Sequence, residues 1–345
     1  MANSKTIRRQ DERFQQCGSL EEVAVLLQTS PSKIKLCSLQ PRYNIYTISK
    51  GNGKTRLIED PGQPLKGLLK KLNGYLQACY YVQRPAAVHG FSISASNEEE
   101  RGIISNAGVH MGKPWLLNID FRDFFHTVLS DTVLSIWQKH FRKFKKQLPE
   151  VLTSLTCFHN RLPMGSPTSP VLSNFAALAM DEELMQLCAN MGITYSRFAD
   201  DCSFSARHEI DNKTVQLLRD VITAHRFMIN EEKLKLFGPD DEKIVTGIIV
   251  EEKRLKLPEI FIQQLQQEII RLEHTLVVER RFQTGMSAKK LKLFEQELRG
   301  KINYVQMVLG DTAETNELVS SFENARQQPD NYESDNWLDL PYNFF

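Results

Sequence analysis

The spacing of apolar residues along the chain changes between a helical period and a strand-like alternation. Helical spacing occurs in LEEVAVLLQ near the N-terminus, in PLKGLLKKLNGYLQACY and through residues 258–309. The segments RYNIYTIS and TRLIEDP alternate as strands do, and the turn GNGK separates them. Because helices are concentrated at both ends of the chain with strands between them, we predict an α+β fold.

The same pattern predicts the smaller elements. Residues 7–40 are expected to form two short helices, and helices are also expected over residues 97–110 and 213–227. The segment LPMGSPTSPVLSNFAA predicts a turn followed by a helix of small residues, and IVTGIIV predicts a short apolar strand.

Two stretches place carboxylates at the ends of apolar strands. LLNIDFRDFFHTV carries Asp120 at the end of an apolar run, and ITYSRFADDCSFSA carries Asp200 and Asp201 at the tip of a predicted hairpin. Each motif alone has an ordinary explanation, because aspartate is common in caps and turns. Two acids on one hairpin tip repel each other unless a cation is present, so together the three carboxylates favour a Mg²⁺ site. Two Mg²⁺ ions about 4 Å apart are the usual apparatus for attack of a hydroxyl on a phosphate.

The charge is unevenly distributed. The 345 residues have a net charge of +1, but residues 311–345 carry eight acidic side chains and one basic one. That segment is therefore −7 and the rest of the chain +8, which leaves a basic body suited to phosphates. The segment DNYESDNWLDLPYNFF also contains large apolar residues, so it is either a solvated tail or a segment that docks on a partner or on its own chain.

The composition is that of an ordinary globular protein, with 41% hydrophobic and 25% charged residues. At this length we expect two or three subdomains. No apolar stretch approaches the roughly 20 residues that span a bilayer, and the polar N-terminus does not resemble a signal peptide. The six cysteines are scattered, which predicts free thiols in a reducing cytoplasm, with neither a zinc site nor disulfides.

Three segments agree in type, order and spacing with one family. DFRDFF, LPMGSPTSP and FADD resemble the successive palm motifs of reverse transcriptases. The resemblance implies a right-hand polymerase fold in which Asp120 and Asp200 hold two Mg²⁺ ions, Asp201 supports one of them, and the carbonyl of Phe121 is a further ligand. The implied regions are an N-terminal helical segment (1–40), fingers (41–114 and 130–160), palm (115–129 and 161–252), helical thumb (253–312) and an acidic, aromatic tail (313–345).

The same resemblance implies a pocket for deoxynucleoside triphosphates. Phe125 lies where these enzymes place a bulky residue against the 2′ position of the sugar; alternatively it is a core residue. Met164 stands where the family usually has Gln, so a polar contact near the sugar or base is lost. Lys233 would neutralise the leaving pyrophosphate, unless it is simply a solvated lysine. The remaining implied contacts to the nucleotide come from the side chains of Lys54 and Arg56 and from the backbone N–H groups of Asp123 and Phe124.

Two short motifs resemble those of the retron reverse transcriptases of bacteria. An NAxxH motif stands ten residues before Asp120, and a VTG motif follows the palm. The resemblance implies a cognate structured RNA that serves as template and primer, DNA synthesis from the 2′-hydroxyl of a guanosine, and branched multicopy single-stranded DNA as product. It also implies a partner effector, a toxin, in antiphage defence. The residues expected to contact RNA are Asn106, His110, Val245, Thr246, Gly247, Arg280, Arg281, Lys289 and Lys290.

Two other functions remain open from the sequence. One is another bacterial reverse transcriptase, of a defence or diversity-generating type. The other is an RNA-binding scaffold with an inactive palm that neutralises a toxin. The intact carboxylates Asp120, Asp200 and Asp201 argue against the scaffold, and Phe125 argues against an RNA-dependent RNA polymerase.

Overall fold

The computed structural model describes residues 2–49, 55–145, 147–282 and 288–327. The chain divides into two compact units. The first consists of Met1–Thr246 with Val250–Arg254, and the second of Gly247–Ile249 with Leu255–Phe345.

Three capped helices begin the first unit, where the sequence predicts two. The additional helix is mostly polar and buries only Ile7 and Phe14, so its apolar period is too sparse to detect. Ser19 begins the next helix with a reciprocal capping box to Glu22, and Ser30 caps the third. The three helices are α1 (Ser4–Gln15), α2 (Leu20–Leu26) and α3 (Pro31–Leu39).

A strand hairpin and two helices follow. The hairpin consists of β1 (Tyr43–Ser49) and β2 (Thr55–Pro61), which pair antiparallel as the alternation predicts. The long helix α4 (Leu65–Gln83) buries its leucines in the core. The helix predicted over residues 97–110 is shorter, because α5 (Ile103–Gly108) begins only after Gly102, whose backbone N–H bonds to Ser105 Oγ at 2.9 Å.

The centre of the first unit is a four-stranded antiparallel sheet with the order β4-β5-β3-β6. Its apolar side chains, including Leu117, Ile119 and Phe204, belong to the main hydrophobic core. The strands are β3 (Trp115–Asp120), β4 (Thr194–Phe198), β5 (Asp201–Ala206) and β6 (Lys235–Phe237).

Helices cover this sheet. The predicted helix of small residues is α9. Its buried residues include the small Ala177 and the larger Phe175 and Met180. The helices are α6 (Phe124–Thr127), α7 (Ser130–His140), α8 (Leu148–Thr156), α9 (Ser169–Asn190) and α10 (Asn212–Ala224), with a short 3-10 helix at Glu231–Lys233.

The segment IVTGIIV is not one strand as predicted. Thr246 and Gly247 have φ angles of 49° and 81°, so the chain turns there and separates two short strands. The pattern of apolar residues cannot reveal this break, because both sides of the turn are apolar. The strands are β7 (Ile244–Val245) and β8 (Ile248–Val250), followed by β9 (Leu255–Lys256).

In its described residues, the second unit contains the helices α11 (Glu259–Phe282), α12 (Ala288–Leu309) and α13 (Ala313–Gln327). The last of these lies within the predicted tail, and it buries Leu318 and Phe322. Within the described residues, no helix has the length and apolar character needed to cross a membrane. The mixture of helices with an antiparallel sheet confirms the predicted α+β class, whereas the division into fingers, palm and thumb stays a prediction.

Candidate active site

The predicted carboxylates meet at one end of the central sheet. Asp120 is the last residue of β3 and is paired across the sheet with Asp201, the first residue of β5. Asp200 lies on the turn between β4 and β5, where Ala199 has a φ of 59°. The backbone N–H of Phe121 donates to the carbonyl of Asp200 at 2.9 Å, which ties the strand end to the turn. Two segments separated by some eighty residues are thus joined into one acidic site.

The charges of this site are incompletely balanced. Burial, together with repulsion from the neighbouring Asp200 and Asp120, raises the pKa of Asp201 to about 7. Burial also raises the pKa of Asp200, with Asp120 adding to the shift and Lys233 and Arg56 opposing it. Each additional proton in such a cluster relieves repulsion that a bound cation would also relieve.

Two residues of the 230–233 segment hold Asp120. Asn230 Nδ2 donates to Asp120 Oδ1 at 2.9 Å, and Lys233 Nζ lies 2.7 Å from Asp120 Oδ2. Burial works against the charge of Lys233, but the hydrogen bond and charge of Asp120 outweigh it and raise the pKa of the lysine. The structure therefore brings both Lys233 and Asn230 to Asp120. The role of Lys233 toward the leaving pyrophosphate stays a prediction.

The donor set suits a divalent cation. Three carboxylates are hard oxygen ligands of the kind that Mg²⁺ prefers, and burial followed by mutual repulsion raises the pKa values of Asp200 and Asp201. In the described part of the chain, no group of three or more His, Cys, Asp or Glu side chains is arranged to hold a metal ion. The roles of the three aspartates and of the Phe121 carbonyl as metal ligands stay predictions.

A buried ion pair that sequence reasoning missed supports the hairpin. Arg197 is fully buried on β4, and its guanidinium bonds to both carboxylate oxygens of Asp181 on α9, at 2.8 and 2.6 Å. The same group donates to the carbonyl of Ala199 at 2.8 Å and to Asn174 Oδ1 at 3.1 Å. Arg197 therefore fixes the turn that carries Asp200.

The predicted nucleotide residues lie in the same unit. Phe124 is buried and Phe125 is half-buried, while Asp123 is exposed with a φ of 50°. Arg56 is exposed on β2, and its charge acts on Asp200. Lys54 lies outside the described residues.

Met164 and Arg161 both contact Glu59 on β2. Glu59 is not among the residues predicted from the sequence. The backbone N–H of Glu59 donates to the Met164 carbonyl at 2.6 Å, and Arg161 donates two hydrogen bonds to the Glu59 carboxylate, at 2.7 and 3.0 Å. Gly165 has a φ of 122°, and a Cβ there would lie 2.9 Å from the Glu59 carbonyl oxygen. The glycine of LPMG is thus required by close contact with β2.

Residues 48–271 match the family model described as reverse transcriptase (RNA-dependent DNA polymerase). The chain belongs to the reverse transcriptase family. Reverse transcriptases use divalent metal ions, which agrees with the carboxylate chemistry of the site. The match covers the central sheet and its three aspartates, and the assignment of this sheet to the palm stays a prediction.

Several curated relatives are retron reverse transcriptases. The chain is 30% identical over 220 residues to the retron Ec86 reverse transcriptase of Escherichia coli, covering 62% of this chain and 65% of that protein. It is 28% identical to the retron Se72 enzyme of Salmonella heidelberg (64% and 58% covered) and 26% identical to the retron Mx162 enzyme of Myxococcus xanthus (67% and 53% covered). The predicted resemblance to retron reverse transcriptases is confirmed, although the matches span less than two thirds of these relatives.

Among solved structures, telomerase from Candida albicans in complex with a fragment of telomeric RNA aligns with a TM-score of 0.46 at 12% identity, covering 86% of this chain and 64% of that one. Apo telomerase from Candida tropicalis aligns with a TM-score of 0.45 at 13% identity, covering 63% of this chain and 55% of that one. Scores of this size carry no argument about function.

The NAxxH motif lies inside the protein. Asn106 is fully buried and His110 is 2% exposed. His110 bonds through Nδ1 to Ser205 Oγ at 2.6 Å and through Nε2 to Ser196 Oγ at 2.7 Å, and Ser196 donates to Asn106 Oδ1 at 2.8 Å. These bonds attach α5 to both strands of the aspartate hairpin. Contact of Asn106 and His110 with RNA stays a prediction.

The VTG motif is only partly accessible. Val245 is fully buried, and its contact with RNA stays a prediction. Thr246 is half-buried and bonds through Oγ1 to the Ile103 carbonyl at 3.4 Å, and Gly247 is exposed. Contact of Thr246 and Gly247 with RNA stays a prediction.

The four basic residues predicted to bind RNA lie on helices of the second unit. Lys289 and Lys290 are exposed on α12. Arg280 and Arg281 lie on α11, and their side chains fall outside the described part of the structure. Their binding to RNA stays a prediction.

Proposed function

We propose that this protein is an RNA-directed DNA polymerase of the retron type. The observation that carries the proposal is the pairing of Asp120 with Asp201 across the palm sheet, with Asp200 on the adjoining turn and Lys233 against Asp120. The family match and the retron relatives support it. An inactive palm would not need to retain three acids whose mutual repulsion costs stability.

The residues of the site would have different roles in nucleotidyl transfer. Two Mg²⁺ ions, when bound, would activate the attacking hydroxyl and neutralise the leaving pyrophosphate. Asp120, Asp200 and Asp201 would hold them, and the Arg197 network keeps the hairpin that carries Asp200 in place. Lys233 and Arg56 supply positive charge for the triphosphate. Phe125 would exclude the 2′-hydroxyl of a ribonucleotide by filling its space.

The finer function follows the retron relatives. We infer that a cognate structured RNA is both template and primer, that synthesis starts from a 2′-hydroxyl, and that the product is branched multicopy single-stranded DNA. The +8 charge outside residues 311–345 suits the binding of RNA and of the DNA product. We further propose a cytoplasmic role in antiphage defence with a toxin effector as partner.

Primer extension with Mg²⁺ and dNTPs tests the catalytic assignment. Asp120→Ala and Asp200→Ala should each abolish DNA synthesis and leave RNA binding intact, because the affinity for RNA comes from basic residues elsewhere. Asp131→Ala is the matched control, since Asp131 is an exposed acid on α7 of the same unit. Polymerisation retained by either active-site variant would remove the assignment.

The nucleic acid that copurifies with the protein tests the retron type. A branched RNA–DNA species is expected, in which treatment with ribonuclease leaves a short DNA. Recovery of unbranched DNA, or of RNA alone, would contradict priming from a 2′-hydroxyl.

A further inference from the structure

Phe91 lies directly beside the residue assigned to sugar selection. The centroids of the Phe91 and Phe125 rings are 5.8 Å apart, with 33° between the ring planes. The Phe124 ring lies 5.7 Å from Phe125, so Phe125 sits between two aromatic neighbours. Both Phe91 and Phe125 are half-buried and pack against the main core.

The backbone of Phe91 is held in an unfavourable conformation. Its φ is 55°, in the left-handed region that bulky residues rarely adopt, and such a conformation persists only where its surroundings enforce it. The Phe91 carbonyl accepts hydrogen bonds from Gln77 Nε2 at 3.2 Å and from Asn174 Nδ2 at 3.3 Å. These contacts hold the backbone from which the ring projects.

Gly90, the residue before Phe91, is in close contact with the turn of the β4–β5 hairpin. A Cβ on Gly90 would lie 2.4 Å from the backbone nitrogen of Ala199, so only glycine fits there. The Gly90 carbonyl accepts from Asn174 Nδ2 at 3.0 Å, and Asn174 Oδ1 accepts from Arg197 at 3.1 Å. Asn174 is fully buried and therefore links Phe91 to the turn that carries Asp200.

We propose that Phe91 is a positioning residue for sugar discrimination, which acts by preventing the Phe125 ring from withdrawing. The inference rests on the proposed function and deepens it. A ribonucleotide needs space at its 2′ position, and Phe125 yields that space only if its ring moves. The Phe91 backbone cannot retreat with it, because Gly90 abuts Ala199 and the Phe91 carbonyl is bound on two sides, so the Phe91 ring occupies the space beside Phe125. The selection of deoxynucleotides thus depends on a pair of rings.

Single-nucleotide extension with rNTP and dNTP substrates tests the proposal. Phe91→Leu should raise the ratio of kcat/KM for rNTP to that for dNTP by about three- to tenfold, since part of the overpacking cost is relieved. The conservative variant Phe91→Tyr should keep the wild-type ratio, because it retains an aromatic ring at this position. Phe144→Leu is the matched control, since Phe144 is also half-buried but stacks on Phe141, with ring centroids 5.2 Å apart. That control should leave the ratio unchanged.

A double variant shows whether Phe91 acts through Phe125. Phe125→Ala alone should admit ribonucleotides, and adding Phe91→Leu to it should change the ratio no further. Equal loss of rNTP and dNTP incorporation in Phe91→Leu would overturn the proposal, because this is the effect of a purely structural residue. A full additional effect in the double variant would overturn it too.

The experiment separates the proposal from the function on which it rests. Extension of a primer with dNTP by the wild-type protein establishes the polymerase. An unchanged ratio in Phe91→Leu then refutes the role of Phe91 alone, whereas absence of extension by the wild-type protein refutes both. Thermal unfolding of each variant identifies a folding defect, and Phe91→Tyr provides the comparison that keeps the ring size.

Discussion

At the residue scale, donors and acceptors can be assigned to the hydrogen bonds of the NAxxH motif. The Asn106 side-chain oxygen only accepts, so the Ser196 hydroxyl donates to it and the Ser196 oxygen accepts from His110 Nε2. In a neutral imidazole, His110 Nδ1 then accepts from the hydroxyl of Ser205. Burial lowers the pKa of His110 to about 3, with Lys113 and His89 acting in the same direction.

His110 should make the stability of the protein depend on pH. Above about pH 6.5 the histidine is neutral in both the folded and unfolded chain, so it contributes no pH dependence. As the pH falls below that value, the unfolded chain binds a proton that the folded chain does not, and the free energy of unfolding decreases down to about pH 3. We expect His110→Gln to lose less stability than the wild type between pH 7 and pH 5. Urea unfolding at both pH values measures this difference.

The control is His208→Gln, because His208 is exposed on the same unit. It should retain the steep pH dependence of the wild type. Parallel slopes in His110→Gln and the wild type would mean that His110 does not stay neutral in the folded state.

At the element scale, the β4–β5 hairpin depends on one ion pair. Arg197 and Asp181 have no exposed side-chain surface, and Tyr195 OH also donates to Asp181 at 2.8 Å. The pair joins the hairpin to α9 and stabilises the left-handed Ala199 through its carbonyl. The hairpin is therefore held from one side by α9 and from the other by His110.

Arg197→Met should destabilise the protein by about 3–5 kcal/mol, because it leaves the carboxylate of Asp181 buried without its partner. Replacing both members, in Arg197→Met with Asp181→Leu, should recover much of this loss, since no buried charge remains. Chemical denaturation measures both. The exposed ion pair of Arg254 and Glu251 is the control. Arg254→Met should lower the free energy of unfolding by less than about 1 kcal/mol. A loss in the double variant as large as in Arg197→Met would contradict the buried-charge explanation.

At the scale of the whole molecule, the last residues of the chain differ from the rest in net charge. Residues 331–345 are outside the described residues, and their role stays a prediction. They combine acidic side chains with aromatic ones, so repulsion should keep them from RNA while the aromatic residues favour a protein contact.

Deleting residues 331–345 should leave DNA synthesis intact and abolish binding of the effector protein or defence activity. Primer extension and copurification of the partner measure the two effects. Replacing Trp337, Phe344 and Phe345 by Ser keeps the charge and should reproduce the loss of the partner. An insoluble truncated protein, or one inactive in extension, would show that the segment belongs to the fold.

The sequence by itself determined the fold class, the family and the order of the palm motifs. Strand alternation, the Asp-Asp hairpin and the turn with its glycine arise from residues close together in the chain, so local pattern predicts them. The sequence singled out Lys233 as a residue of the site, but only the structure shows its contact with Asp120. The additional helix α1 and the break at Thr246–Gly247 were missed because their apolar spacing carries too little information.

Only the tertiary structure decided which polar side chains are buried and what they bind. Glu59 and Arg161 are 102 positions apart, and His110 and Ser205 are 95 apart. Such pairs form only when whole elements pack, and no local pattern states which face of a short helix such as α5 will turn inward. For that reason the burial of Asn106 and His110 against the aspartate hairpin follows from the packing and not from the sequence pattern.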